Sequence, residues 1–543
     1  MTPINSKIKH VVVVMFENRS FDHMLGFLYN DSYKNKNIDI KNINVSPLGH
    51  PFEGLTGNET NPDGKGGSVK VFPIDKNDKY AYYMPKMDPG EGFMNTNYQL
   101  FGASIPPFPQ KIGPNQGFLL DFEGKIANKY YGDPPKKEKK TSTSSENTTT
   151  KKTYDKYYDH SKDYKNDDYK KWYKEELPPI SGIKIVPKLQ GTEPKDIMGM
   201  YTPELLPILS NLAKGYAVCD QYYCSVPSET LPNRAFMHLA TSQGHLYDEI
   251  KRYNAPSIFK NLTNYGHTWG IFGYEAKTEP YTFTFCEDIS SDTLVTDPNS
   301  KPEYILPKGC QSGKYVEFEA ALKNGTLPDY TFLEPSWGSY GNSQHPNYDV
   351  SAGEDYMLKI YNAIRESDYW EDTLLIINYD EHGGCYDHVI PPTGATQPSP
   401  TTVNEPTGFK FDRFGVRVPC VLISPWIEAG TVYRTKGDVP LDHTSILKTI
   451  ETLFNLPPLT ARDAAASDML DVLTLETART DNPLEGIKPP VTNPTVQIEN
   501  HASQILRAQA AALTDKRNSE TGTQHTTPEF KTDEEAHAYI DQD

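Results

Sequence analysis

A chain of 543 residues with a formal net charge of −18 is long enough for one large α/β domain with insertions, or for two domains. The negative charge argues against a polyanionic partner and hence against nucleic acid. No run of about eighteen apolar residues exists to span a membrane. Hydrophobic content of 36 % with 11 % aromatics describes a globular protein with a sizeable core. Six cysteines show neither zinc-finger spacing nor a disulfide framework, though Cys286 and Cys310 could close a loop if the protein is exported. The short polar N-terminus shows no signal peptide, which predicts a cytoplasmic protein or one exported without a visible signal.

In chain order, the first strong signal is Val11-Val12-Val13-Val14-Met15-Phe16. Such a run is too apolar for a strand wet on one face, and predicts a central strand of a parallel sheet, buried on both sides. It runs directly into Glu17-Asn18-Arg19-Ser20-Phe21-Asp22-His23. Residues 31–90, rich in Asn, Asp, Gly and Pro, predict surface loops, and Asp88-Pro89-Gly90-Glu91-Gly92-Phe93 a turn into a short helix. Residues 129–177 carry almost no aliphatic side chains and predict a solvated, low-complexity insertion. Thr202-Pro203-Glu204 reads as a helix start, with Leu205, Ile208, Leu209 and Leu212 on its apolar face and Gly215 at its end. Ala217-Val218-Cys219-Asp220 reads as a short buried strand, and 224–234 as a loop entering a helix at Ala235. Further strands are predicted at 268–272, 330–333, 374–379 and 418–423. Helical spacing recurs at Met357, Ile360, Tyr361 and Ile364, and again after Asp442-His443-Thr444-Ser445. Strands alternating with helices predict a doubly wound parallel sheet with helices on both faces. The domain reading is a catalytic domain over 1–488 and a polar C-terminal extension over 489–543, with Ala-rich helical pieces and a loose acidic tail.

A second polar cluster, Asp380-Glu381-His382-Gly383-Gly384, also follows an aliphatic strand. Adjacent carboxylates at the mouth of a buried strand are costly unless a cation neutralises them. In open α/β sheets the ligand site lies beyond the carboxyl ends of the strands. Two strands each delivering oxygen donors, with His23 or His382 following, suit Zn²⁺, Ca²⁺, Mg²⁺ or Mn²⁺. Thr230 sits at a helix entrance, where a dication lowering its pKa would make it a nucleophile. Arg234, one turn on, is suited to phosphate oxygens. His345, beside Pro346, is a candidate general acid or phosphate contact. Each taken alone also reads as an ordinary cap, surface charge or loop residue.

Together, Glu17 to His23, Pro232-Asn233-Arg234, His345-Pro346 with Asp349-Val350, Asp380 to Gly384 with Asp387-His388-Val389, and Gly415-Val416-Arg417-Val418-Pro419 resemble the bacterial phospholipase C and acid phosphatase family. Plant non-specific phospholipases C resemble it too. Asp442-His443-Thr444-Ser445 and Leu459-Thr460-Ala461-Arg462-Asp463 extend the match, which covers roughly 8–465. The resemblance implies an alkaline-phosphatase-like α/β fold with large loop insertions and hydrolysis of phosphate esters through a covalent phosphothreonine. It assigns Glu17, Asn18, Asp380 and Glu381 to a divalent metal, zinc in the first place with Ca, Mn and Mg open. It assigns attack to Thr230, phosphoryl contact and leaving-group protonation to His345 and His382, and substrate binding to Asn233 and Arg234. Two departures stand out. Many relatives read Gly-Pro-Thr where this chain has Ser228-Glu229-Thr230, and many place a His just after an Asp-Pro turn, where this chain reads Asp88-Pro89-Gly90-Glu91.

The leading expectation is a phospholipase C acting on phosphatidylcholine or a similar lipid to release diacylglycerol, which implies contact with a membrane surface. An acid phosphatase on phosphomonoesters is the alternative within the class. A catalytically silent phosphate-binding protein is the alternative outside it. The sequence leaves the oligomeric state open.

Overall fold

The computed structural model describes residues 7–30, 44–45, 51–102, 115–127, 188–274, 280–292, 294–295, 303–399, 409–492 and 503–541. The 129–177 insertion therefore lies outside the described residues. Nine strands form the main sheet: β1 His10–Phe16, β2 Asn44–Val45, β3 Ala217–Val218, β4 Trp269–Gly273, β5 Gln311–Lys314, β6 Tyr330–Glu334, β7 Thr373–Tyr379, β8 Cys420–Ile423 and β9 Thr431–Val432. Their order is β5-β4-β6-β1-β7-β8-β3-β9-β2, and only β8 runs antiparallel to both its neighbours. The predicted parallel sheet is thus mixed at one strand. The strand predicted from 418 begins at Cys420, since Pro419 has no N–H for a ladder.

β1 lies between β6 and β7, parallel to both, and Val11 to Phe16 are fully buried. Alternation along β1 assigns the two faces. Phe16 meets Tyr356 of α6 (Val350–Arg365), so Val12, Val14 and Phe16 face that helix. Val11 and Val13 share a face with their register partners Tyr330 and Phe332, and Phe332 meets His238 of α5 (Thr230–Leu239). Helices α1 (Phe21–Leu25), α2 (Phe93–Phe101) and α3 (Phe118–Ile126) precede α4 (Pro207–Gly215), which packs with α6, while α7 (His443–Phe454) packs with α5. Helices cover both faces, as a doubly wound sheet requires.

Register then fixes where chemistry can occur. Phe16 pairs with Tyr379, so Glu17 and Asp380 leave adjacent parallel strands side by side, at the carboxyl edge.

Several local expectations are corrected. Helix α4 starts at Pro207 rather than at Thr202. A residue before proline is driven from the helical region, and Leu206 has φ −119° and ψ 65°. The new N-terminus is capped from afar, because Glu354 of α6 accepts from Ile208 N (2.6 Å) and Leu209 N (3.0 Å). Helix α5 begins at Thr230, five residues before the expected Ala235, with Pro232 tolerated in its first turn. The described part of 31–90 is not simply surface loop: Thr60–Pro62 pairs with Ser68–Lys70, and Leu55, Val71 and Met87 join a second core cluster. The six cysteines are buried and free, so Cys286 and Cys310 form no bridge.

Nor is the described C-terminal stretch a loose tail. Helices α8 (Gln504–Thr521) and α9 (Asp533–Ile540) put Ile505, Leu506, Leu513, Phe530 and Ile540 into the main core. No helix among the described residues is long and apolar enough to cross a membrane.

Candidate active site

The tight turn after β1 depends on Asn18 at φ +57°, a conformation Asn tolerates better than most residues. Its backbone N–H donates to Asp380 Oδ1 (2.9 Å), which also accepts from Glu381 N (2.7 Å). Its side-chain nitrogen donates to Glu91 Oε2 (2.8 Å), so its oxygen is left for Thr230, whose hydroxyl donates to it at 3.3 Å. Gly383, at φ +61°, passes so close that a Cβ there would lie 2.0 Å from Asn18 O. Thus three chain segments, at 18, 230 and 380, meet.

The entrance to α5 is held stiffly. Asn233 reaches back with its amide nitrogen to the carbonyls of Val226 (3.1 Å), Ser228 (2.9 Å) and Glu229 (3.1 Å), and its oxygen accepts from Val226 N (3.1 Å). Asp248 accepts from Leu231 N (2.8 Å) and donates its own N–H to Glu229 Oε2 (2.7 Å). Arg462 bonds Ser225 O (2.9 Å) and pairs with Asp442 (2.8 Å).

Arg234 donates from Nε to Asp380 Oδ2 (3.0 Å) and lies 4.8 Å from the Trp337 ring centroid. Its Nη2 is 3.0 Å from the same oxygen, yet that buried nitrogen makes no hydrogen bond. A donor remains to be satisfied there.

Glu17 is 1 % exposed and Glu381 0 %. Glu17 Oε2 and Glu381 Oε1 are buried without any hydrogen-bond partner. Burial, then the Glu91 and Asp380 charges, push Glu381 well above the usual carboxylate range. Burial also raises Glu17. Orphaned carboxylate oxygens are expensive inside a protein, and an oxygen-rich set around Asn18 Oδ1 and Thr230 Oγ1 is what a hard dication needs. The orphaned Glu17 and Glu381 oxygens suit a cation, whereas both oxygens of Asp380 already accept hydrogen bonds, from Asn18 N, Glu381 N and Arg234 Nε.

The two expected imidazoles are placed differently. His345 is half-buried, with Nδ1 3.1 Å from Pro346 O and its ring on Tyr348. It is the charge that most lowers the Glu17 pKa, and it groups with Asp88 and Glu91. His382 is followed by a positive-φ turn at Gly383 and Gly384. Its Nε2 is 2.8 Å from Gln99 Oε1, its Nδ1 is 3.3 Å from Glu381 Oε2, and burial lowers its pKa to about 3. Both ring nitrogens are thus engaged, one with Gln99 and one with Glu381. Asn233 likewise braces the turn instead of reaching toward substrate. His23, expected beside the donors, stacks on Tyr201 at 5.0 Å.

Other motif residues act as clamps. Arg417 pairs with Asp22 (2.9 Å) and Asp387 (3.0 Å), while His388 pairs with Asp22 (2.6 Å), tying the loops after β1 and β7 together. Arg19 donates to the carbonyls of Met84, Gln344 and His345 and so positions the His345 loop. The sequence reading missed Arg19, Glu91, Gln99, Asp248 and Trp337 as builders of the site. Arg19 lay inside the motif at 17–23, and Glu91 stood in a departure from the family pattern.

Fold and site together define an α/β enzyme with its polar centre at the carboxyl edge of the sheet. The chain matches the model of the phosphoesterase family over residues 8–131 and 107–457. It is 31 % identical over 497 residues to non-specific phospholipase C6 of Arabidopsis thaliana, covering 88 % of this chain and 75 % of that protein. It is also 31 % identical over 310 residues to phospholipase C B of Mycobacterium tuberculosis strain H37Rv, covering 52 % of this chain and 57 % of that one. A structure described as a protein in the alkaline phosphatase superfamily, from Vibrio parahaemolyticus, is 15 % identical, overlaps 52 % of this chain and 64 % of its own, and has a TM-score of 0.27. The chain belongs to the phosphoesterase family and is a phosphoric ester hydrolase.

Proposed function

We propose that the protein cleaves phospholipid diesters in the manner of a phospholipase C, through a covalent adduct on Thr230. The observation that carries this reading is the meeting of Thr230 Oγ1 with Asn18 Oδ1 at 3.3 Å, beside the Arg234–Asp380 pair. A divalent cation on Glu17, Asn18 and Glu381, beside Asp380, would supply Lewis acidity and lower the pKa of the threonine hydroxyl.

In this reading Thr230 Oγ forms a bond to phosphorus as the bond from phosphorus to the glycerol oxygen breaks. The hydroxyl proton is lost from Oγ, and diacylglycerol leaves after taking up a proton. Water then attacks the same phosphorus, releasing the phosphorylated headgroup and restoring Thr230. Arg234, with a buried N–H still to be satisfied, binds a phosphoryl oxygen. Asn233 and Asp248 hold Thr230 in place, His382 holds Glu381, and His345 serves the leaving-group side. The similarity to plant and mycobacterial phospholipases C supports the diester reading. A lipid substrate also implies contact with a membrane surface.

A monoester reading has one observation in its favour. Among the described residues, the rim candidates Tyr82-Tyr83-Met84, Phe93-Met94 and Phe101 are packed: Met84 and Phe93 are buried in core clusters, Tyr83 and Met94 are buried, and Tyr82 and Phe101 are half-buried. Assaying phosphatidylcholine beside an aryl monophosphate separates the two. Diacylglycerol release at the higher kcat/KM supports the lipase, and turnover of the monophosphate alone supports the phosphatase.

A further inference from the structure

We infer that His443 is a positioning residue, its imidazole tying the end of β7 to the turn that carries Thr230. The inference rests on the reading of Thr230 as the nucleophile, and gives the Asp442-His443-Thr444-Ser445 motif a part in the same site.

His443 opens α7 and has no exposure. Its two ring nitrogens meet different segments of the catalytic edge. Nε2 lies 3.0 Å from the carbonyl oxygen of Tyr379, the last residue of β7 and the neighbour of Asp380. Nδ1 lies 3.2 Å from Ser225 Oγ and accepts from Ser225 N at 3.4 Å. Ser225 leads into the turn that ends at Thr230. Its carbonyl accepts from Arg462 (2.9 Å), and its hydroxyl donates to Asp442 Oδ2 (3.0 Å). From Val226 onward, Asn233 holds the turn. One imidazole thus joins the two segments whose meeting brings Thr230 to Asn18, and Asn18 to Asp380.

The partners fix the tautomer. A carbonyl oxygen only accepts, so Nε2 carries the hydrogen. The Ser225 N–H is aimed at Nδ1, which must then be the bare acceptor. A second proton on the ring would set N–H against N–H, so the bridge exists only with a neutral imidazole. The surroundings favour that state: burial lowers the His443 pKa and the Arg234 charge acts with it, against the pull of Tyr379 O, Asp442 and Asp380. His238 of α5 is the contrast. It is equally buried, but neither of its ring nitrogens has a hydrogen-bond partner, and it packs among Phe259, Phe285 and Phe332.

Kinetics of His443→Leu and His443→Gln, beside Tyr361→Phe, test the bridge. Leucine fills the space and makes neither bond, whereas glutamine keeps a nitrogen donor for Tyr379 O. Tyr361 bonds Tyr216 and Asn482 beside Trp370, which precedes β7, so its variant loses buried hydrogen bonds at the opposite edge of the sheet. In His443→Leu, kcat is expected to fall about 10²-fold with KM little changed. His443→Gln should recover about tenfold of that loss. Tyr361→Phe should lower the melting temperature and spare kcat. Full kcat in His443→Leu overturns the inference, as does an equal loss in Tyr361→Phe or a glutamine variant no better than leucine. The native protein supplies a measurement that needs no variant to fold. Nitrogen NMR with labelled histidine is expected to show His443 neutral at neutral pH with its hydrogen on Nε2, and a hydrogen on Nδ1 overturns the bridge. Thr230→Ala separates the two readings: turnover kept in His443→Leu but lost in Thr230→Ala defeats this inference alone, and turnover kept in Thr230→Ala defeats both.

Discussion

Thr230 and Asn18 lie 212 residues apart in sequence and 3.3 Å apart in space, the threonine hydroxyl donating to the asparagine oxygen. That contact exists because Glu91 takes the amide nitrogen of Asn18, leaving only the oxygen to face the helix entrance. Nucleophile and donor set are therefore positioned by one amide.

Removing the hydroxyl should abolish turnover and spare the fold. For Thr230→Ala, kcat is expected to fall by about 10³-fold or more, with the melting temperature nearly unchanged. Thr230→Ser should keep measurable turnover. Steady-state kinetics beside thermal melts checks this, and full activity in the alanine variant removes Thr230 from the mechanism.

The Arg234–Asp380 pair is buried on both sides, at 4 % and 0 % side-chain exposure. Arg234→Ala strands a buried carboxylate and is expected to destabilise the protein by about 3–5 kcal/mol. Arg234→Lys should fold better yet lose at least about tenfold in kcat/KM, because ammonium does not reproduce the guanidinium fork. Denaturant midpoints and kinetics for the two variants provide the comparison.

Gly383 offers a steric test with an internal control. An alanine there puts Cβ against Asn18 O, whereas Gly394, also at positive φ, has open space around it. Gly383→Ala should therefore lower activity and stability well beyond Gly394→Ala, whose effect is backbone strain alone, about 1 kcal/mol. Equal effects would separate the turn at Asn18 from catalysis.

Stability should depend on pH through His388. The Asp22 and Asp387 carboxylates raise its pKa from 6.5 to about 9, against burial and Arg417. Glu53 also faces it, at 3.7 Å. The folded state holds a proton that the unfolded chain releases, so the stabilisation is complete below 6.5 and lost as pH rises through about 9. Asp387, pushed up to about 6, titrates mostly below that window. Native protein is expected to exceed His388→Ala by about 2 kcal/mol near pH 6 and by much less near pH 10. A pH-independent gap in the denaturation midpoints would refute the assignment.

Much of this architecture was legible in advance. The valine run of β1 and the aliphatic run of β7 announced two central strands, and polar residues at their ends announced the edge where ligands gather. What the sequence withheld depends on contacts across the fold. The start of α4 is set jointly by Pro207 and by a carboxylate on α6, and no local window contains both. His382 looked available beside Glu381, but its ring nitrogens are taken by Gln99 and Glu381. The C-terminal stretch reads as polar because α8 buries small alanines, Ala508, Ala510 and Ala512, whose hydrophobic signal is weak. Several family motifs proved to be braces, Arg417 and Arg462 among them, since sequence pattern marks a residue without saying whether it touches substrate.

The most direct test is to catch the intermediate. Native protein mixed with substrate, quenched in acid within one turnover and digested, is examined by mass spectrometry for a phosphoryl adduct. The expected result is an adduct on Thr230 that forms and decays within the catalytic cycle. Turnover without any adduct, or an adduct on another side chain, would contradict the account.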